Sequence, residues 1–282
     1  MIDKDSRQLR GVSQTLWVPL LSRAQASLQS QKQGLKKAGS PFYDACAESL
    51  AAYLKPEHAE LGWVPPPLSH VLVARARHYD QAALNFLKRH PKGQIVQLGC
   101  GLDSRYERLS PKQRGSKSQW WHLDLPEVTA LRQRYLPPEQ QLSHSITSLD
   151  WLLQLDPNAP TLLQAEGLLM YLPRQDIHRC LVAWSRYFLQ AELVAEFIYQ
   201  GWIPLLRTPM ARRLFQLHMQ TQDAISFQGG LWGPREPEQR GDRLYYVKHW
   251  TYAEAFLPLL KYMKTPPTFL WTGHYHLGVL PC

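Results

Sequence analysis

The sequence predicts an α/β protein: a doubly wound, mostly parallel sheet, preceded by a helical arm and interrupted in its last third by a helical insertion. Two observations carry that expectation. Short apolar runs of strand length alternate with longer segments of helical period, the order that a parallel sheet with crossover helices requires. The first such run, Gln94 to Leu98, ends on a Gly-x-Gly turn, Gly99-Cys100-Gly101, and the second ends on an acidic residue, Asp124.

In chain order, the arm comes first. Residues 1–40 carry seven Lys or Arg against two aspartates, and from Ser13 to Leu35 the apolar residues recur loosely at helical spacing. A helix laid on the main domain is expected there. Pro41-Phe42-Tyr43-Asp44 punctuates the chain, and Tyr43 to Leu54 reads as a short helix. The run Pro65-Pro66-Pro67 is expected to stop helix and mark a boundary, so residues 1–68 read as an arm or cap and 69–282 as the main domain. From Ser69 to Arg89, Val71, Leu72, Ala74, Tyr79, Ala82, Phe86 and Leu87 follow a helical period that ends near His90-Pro91.

The strand Gln94 to Leu98, bounded by Gly93 and Gly99, has the look of one buried on both faces. Further strands are expected at Trp120 to Leu123, Thr161 to Ala165 and Leu193 to Ile198, with a closing pair at Thr268 to Trp271 and Tyr275 to Leu280. Helices are expected at Pro126 to Tyr135, Arg174 to Phe188 and Tyr252 to Met263. The exception is residues 199–246, with basic helical material at Arg207 to His218 and a glycine-rich loop, Gly229-Gly230-Leu231-Trp232-Gly233. That stretch reads as an insertion over the active face.

Composition excludes several classes. The 282 residues are 44% hydrophobic and 20% charged, with 10 Trp and 13 Tyr, which is ample for a core. No stretch approaches the roughly 18 apolar residues of a membrane span, and the richest short run, Leu16 to Leu21, is broken by Pro19. Cys46, Cys100, Cys180 and Cys282 form no C-x-x-C pair, and the histidines and carboxylates show no metal-ligand spacing, so no metal site is expected. The amino terminus lacks the apolar core of a secretory signal, and a cytoplasmic protein is the expectation. The net charge of +9 invites a nucleic-acid partner, but +5 of it lies in residues 1–40. The sheet is close to neutral by comparison.

Three segments carry chemistry. In Leu98-Gly99-Cys100-Gly101-Leu102-Asp103-Ser104-Arg105, glycines at the end of a buried strand allow a ligand to approach the backbone. Ser104 stands where a dinucleotide fingerprint wants its third glycine. Asp124 at the tip of the second strand is placed to accept from both ribose hydroxyls of an adenosine, or else to cap the helix opening at Pro126. In Ala165-Glu166-Gly167, a carboxylate follows a buried strand, where it would suit a ligand ammonium or else be a surface glutamate.

These blocks, with His122-Leu-Asp-Leu-Pro-Glu-Val128 and Ala165-Glu-Gly-Leu-Leu-Met-Tyr-Leu-Pro173, together resemble the leucine carboxyl methyltransferase family. The likeness extends upstream to Pro41-Phe-Tyr-Asp44 and Ala74-Arg75-Ala-Arg77-His-Tyr-Asp80, and loosens after about residue 200. It implies a class I methyltransferase sheet with an antiparallel carboxyl-terminal strand, and S-adenosylmethionine as cofactor. It also implies roles: Arg75 for the methionyl carboxylate, Gly99, Cys100 and Gly101 beneath the cofactor, Asp124 for its ribose, Glu166 for the methionyl end. Tyr171 corresponds to a tyrosine beside the transferred methyl, the catalytic position. Where the family has an Asp-Leu pair against the adenine, this chain has Ser145-Ile146.

The implied acceptor is a carboxylate of a small acid or polyketide-like molecule, or of a protein carboxyl terminus, with a hydroxyl as the alternative. An ionised carboxylate needs no base, and Arg207, Arg212 and Arg213 are candidate cations for it. A hydroxyl needs one, with His218, His249, His274 and His276 the candidates. A nucleic-acid-modifying methyltransferase and a cofactor-binding protein without catalysis are the competing classes. Against the first, the tryptophans sit mainly in apolar runs, and there is no Asn- or Asp-Pro-Pro-aromatic motif.

Overall fold

The computed structural model describes residues 15–33, 42–54, 64–110, 117–137, 140–219, 225–241, 243–252 and 269–279. One sheet of seven strands organises them: β1 (Gln94–Leu98), β2 (Gln119–Asp124), β3 (Gln140–Ser143), β4 (Thr161–Ala165), β5 (Gln190–Ile198), β6 (Leu244–Thr251) and β7 (Leu270–Gly278). Their spatial order is β3-β2-β1-β4-β5-β7-β6. The first five in that order are parallel, and β7 lies antiparallel between β5 and β6. The chain enters in the middle at β1, winds outward to β3, then returns to β4 on the other side of β1. Loops leaving β1 and β4 therefore diverge, which opens a crevice at their carboxyl ends.

The helices are α1 (Trp17–Gln33), α2 (Ala45–Leu54), α3 (Pro66–Arg89), α4 (Arg105–Leu109), α5 (Pro126–Tyr135), α6 (Arg174–Tyr187), α7 (Ile203–Leu206) and α8 (Pro209–Met219). Strands β1 and β4 are buried at every residue, and alternate side chains serve two cores. Ile95, Trp120, Leu162 and Val194 pack beneath Tyr79, Ala83, Phe86 and Leu87 of α3. Val96, Leu163, Leu193 and Phe197 face Ile177, Cys180, Leu181 and Trp184 of α6. The arm helix α1 is part of the body: Trp17, Leu20 and Ala24 pack with Ala47 and Leu50 of α2 and with Leu102, Val128 and Leu131.

Several expectations need correction. The proline run does not stop a helix; Pro66 and Pro67 form the first turn of α3, where the missing N–H groups would have had no intrahelical partner. The boundary expected at residue 68 thus falls within that turn. The closing pair of strands is one strand, β7, running through Gly273 without a turn. A Cβ at Gly273 would lie 2.4 Å from the buried ring of Tyr275, so the glycine makes room for an aromatic side chain on the same face. Its partner β6, like β3 at the opposite edge, is absent from the expected strands. Both are edge strands with exposed polar positions, and neither shows the apolar run of a buried strand. The helix expected at Tyr252 to Met263 lies outside the described residues from 253 onward. No helix among the described residues is long and apolar enough to cross a membrane.

Candidate active site

A cavity of about 310 Å³ opens at the carboxyl ends of β1, β2 and β4, with Thr15, Leu16 and Pro19 of the arm among its walls. Arg75, Gly99, Cys100, Gly101, Asp124, Ser145, Ile146, Glu166 and Tyr171 all line it. The structure therefore brings every residue expected at the site to one hollow. The expected bases and cations are elsewhere: neither His249, His274 and His276 nor Arg207, Arg212 and Arg213 line it, and the side chain of His218 lies outside the described residues. Arg207 instead spends its guanidinium on the carbonyls of Phe227 and Gln228.

One end is built by short-range backbone geometry. Gly99 and Gly101 take φ values of +60° and +50°, in the left-handed region open to glycine. A Cβ on Gly101 would lie 2.5 Å from Leu16 of the arm. That turn aims the Gly101 N–H at Asp124, whose Oδ2 accepts it at 2.8 Å while Oδ1 accepts from the Leu125 N–H at 2.8 Å. Burial pushes the Asp124 carboxyl up from its usual range, and the two N–H donors oppose that rise. The loop after β3 is tied to the same place, because the His144 N–H donates to the Asp124 carbonyl. His144, Ser145 and Ile146 form the wall there, and the Ile146 carbonyl is fixed by the Trp151 indole at 3.2 Å. Burial and the nearby acids keep the Cys100 thiol protonated, so this residue contributes backbone rather than a nucleophile.

The other end is an ion network assembled from distant segments. Arg75 of α3 donates to Glu166 at 2.8 Å and to Glu196 of β5 at 3.1 Å. Arg105 meets Asp80, Asp103 and Glu166, and Arg108 meets Asp44, Asp80 and Asp103. Arg23 of the arm joins through Asp44 and the Leu102 carbonyl. Burial alone would raise Asp103, but Arg105, Arg108 and Arg23 outweigh it and hold the carboxyl far below the usual range. Burial works against charge on Arg75 and Arg105 as well, yet their carboxylate partners hold both guanidiniums charged.

Between the ends stands the wall Met170-Tyr171-Leu172. Tyr171 stacks on Phe227 of the segment before β6 with ring centroids 5.6 Å apart and planes 10° from parallel. The Gln228 N–H donates to the Met170 carbonyl at 2.9 Å, so this segment buttresses the wall. Glu236 accepts from Arg174 and the Trp232 N–H and pairs with His178, which fastens the segment to α6. Burial pushes the Tyr171 phenol up to about 12. It is a hydrogen-bond donor at neutral pH.

Sequence reasoning missed Glu196, Asp103, Arg105, His144 and the arm residues Thr15, Leu16 and Pro19. Arg105 closes the Leu98 to Arg105 block, but nothing local names the acids it meets. Nothing local marks Glu196, because a carboxylate in a β-strand reads as a solvent-facing alternation. Among the described residues, no group of three or more His, Cys, Asp or Glu side chains is placed to hold a metal ion.

The cavity suits an elongated zwitterion with a nucleoside at one end. Asp124 offers acceptor oxygens after β2, while a charged guanidinium flanked by carboxylates lies near β4, about two strand spacings or roughly 10 Å away. A doubly wound sheet of this order, closed by an antiparallel β7 and with its crevice at the β1/β4 switch point, is the class I methyltransferase fold. The crystal structure of a Thermobifida fusca protein assigned as a methyltransferase shares it, with a TM-score of 0.56 at 14% identity over 95% of each chain.

The model of the leucine carboxyl methyltransferase family matches residues 31–184, more than half of the chain, and the chain belongs to that family. It is 28% identical over 269 residues to the tetracenomycin polyketide synthesis O-methyltransferase TcmP of Streptomyces glaucescens, covering 94% of this chain and 91% of that one. It is 26% identical to the S-adenosyl-L-methionine-dependent methyltransferase dpfgK of Gibberella zeae, covering 71% and 69% respectively. The chain is accordingly an S-adenosylmethionine-dependent methyltransferase.

Proposed function

We propose that the enzyme methylates a carboxylate of a small, polyketide-like acid. The observation that carries the proposal is the placement of groups along the cavity. Its wall has one histidine among the described residues, His144, which follows the edge strand β3, three strands from the β4 that leads to Tyr171. Around Tyr171 the wall offers Met170, Leu172 and Leu72, a protonated phenol, and carboxylates already committed to arginines. Among the described residues, no group there is free to take a proton from a hydroxyl. A carboxylate, ionised above about pH 4–5, has no proton to give up. The polyketide-like character is supported by the likeness to TcmP.

In this reading, Asp124 receives the ribose hydroxyls, the Gly99-Cys100-Gly101 backbone lies beneath the nucleoside, and Ser145 and Ile146 flank the adenine. Ile146 supplies an apolar face, and the Ser145 hydroxyl, which hydrogen-bonds with Thr147, stands where the family has a carboxylate. Arg75 receives the methionyl carboxylate and Glu166 the ammonium. S-adenosylmethionine, when bound, supplies an electrophilic methyl on a sulfonium. The protein's part is to orient the acceptor against the Met170-Tyr171-Leu172 wall, donate a hydrogen bond from the Tyr171 phenol, and exclude water.

Incubation with methyl-labelled cofactor and a panel of aromatic and polyketide-like acids, followed by mild base, tests the acceptor class. Esters release volatile methanol under base. Label that stays bound after base, in an ether or a methylamine, overturns the carboxylate assignment.

A further inference from the structure

Glu196 is a carboxylate with no exposed surface, far from the motifs of the site, and its bonds account for its position. One oxygen accepts from Arg75 at 3.1 Å, the other from the Tyr252 phenol, and the Gly167 N–H donates to the same group. Gly167 itself has φ +62°, and a Cβ there would sit 3.2 Å from Arg75 Nη1. The guanidinium is therefore held by Glu166 on its Nε edge and Glu196 on its Nη1, with a glycine leaving room beside it. These two carboxylates are not equivalent. Glu166 lines the cavity and also serves Arg105, while Glu196 does not line it and, among the described residues, reaches no other arginine.

A zwitterion entering this end presents a carboxylate to Arg75 and an ammonium to Glu166. Glu166 then exchanges part of its hold on Arg75 for the ammonium. Arg75 would lose its orientation in that exchange unless another acceptor kept the guanidinium plane, and Glu196 is the acceptor that stays. We propose that Glu196, held in turn by Tyr252 and the Gly167 N–H, is a positioning residue that keeps Arg75 aimed into the cavity for the carboxylate of the cofactor. This rests on the assignment of Arg75 made above. It makes the fifth strand, together with Glu166, part of what selects for an intact amino-acid moiety.

The test compares two ligands in calorimetry on the intact protein: S-adenosylhomocysteine, which carries the amino acid, and 5′-methylthioadenosine, which shares the nucleoside and lacks it. Arg75→Ala is expected to weaken the first by tenfold or more and the second by less than twofold. Glu196→Gln, which keeps the shape and removes the charge, is expected to show the same selective loss. A structural lesion would weaken both ligands together. Equal losses, or none, in Glu196→Gln beside a selective Arg75→Ala overturn the role of Glu196 and leave that of Arg75. If Arg75→Ala is itself unselective, both assignments fall. Should Glu196→Gln not fold, Tyr252→Phe takes its place, with a selective loss of about threefold expected and no loss overturning the proposal.

Discussion

The two ends of the cavity are made by different means. At the Asp124 end, a carboxylate is set by two backbone N–H groups, one on the next residue and one on a turn 23 residues away in a neighbouring strand loop. At the Arg75 end, the partners are 91 and 121 residues apart, and each charge is balanced by charges from other segments. The first construction survives wherever the strand and turn survive. The second exists only after the whole sheet and the arm have assembled, and it concentrates cost, because a buried charge stripped of its partner is expensive.

The largest test of this contrast removes a hub. Arg105→Ala leaves Asp80, Asp103 and Glu166 short of a cation and should destabilise the fold by about 3–5 kcal/mol, read as a lower urea midpoint. A loss below about 1 kcal/mol would place the network among surface ion pairs. Asp124→Ala should do the reverse: a small change in stability, but a loss of about 10- to 100-fold in affinity for S-adenosylhomocysteine, as expected for a hydrogen bond to a charged acceptor worth about 1.5–3 kcal/mol. Equal affinity for wild type and variant would remove Asp124 from the ligand site.

Acid should act on the face behind the Arg75 end. His78 and His274 share a hydrogen bond at 2.8 Å, and His78 stacks on Trp250 with centroids 4.4 Å apart. Burial, with Lys248 nearby, lowers His78 to about 4; burial, with His78 and Lys248 nearby, lowers His274 to about 3. Between pH 6.5 and 4 the unfolded chain binds protons that the folded one refuses, so stability falls as pH falls through that window. His274→Gln should flatten this pH slope in thermal melts, and an unchanged slope would exclude the pair as its source. The smallest effect is expected from Tyr171→Phe: kcat lower by less than about tenfold, with cofactor affinity unchanged, as befits one orienting hydrogen bond. A matching loss of cofactor affinity would move Tyr171 to the cofactor side.

Legibility followed the same divide. The strand Gln94 to Leu98, the Gly99 to Gly101 turn, the Pro126 and Arg174 helices and the Asp124 tip are each written in a few adjacent residues, since period, glycine and proline act locally. The Pro66 helix start was misjudged because proline breaks helices and also opens them, and only the direction of the chain beyond it decides which. The unbroken β7 is not legible in the sequence, because Gly273 reads as a turn until Tyr275 is seen lying across it. The arm's charge offers a similar lesson. Arg23 does reach the cavity wall, but Asp44 and the Leu102 carbonyl engage it there, so its own charge is not presented freely to a ligand.

The sequence by itself determined the class of fold, the family, the cofactor and nine of the residues that line the cavity, because these rest on short blocks of adjacent residues. Tertiary structure decided which charges meet: that Glu196 shares Arg75 with Glu166, that Arg105 joins three acids, and that the histidines of β6 and β7 stand apart from the cavity. The physical reason is range. Backbone conformation is governed within a few residues, whereas a buried ion pair is specified only by the fold that brings both partners out of water together.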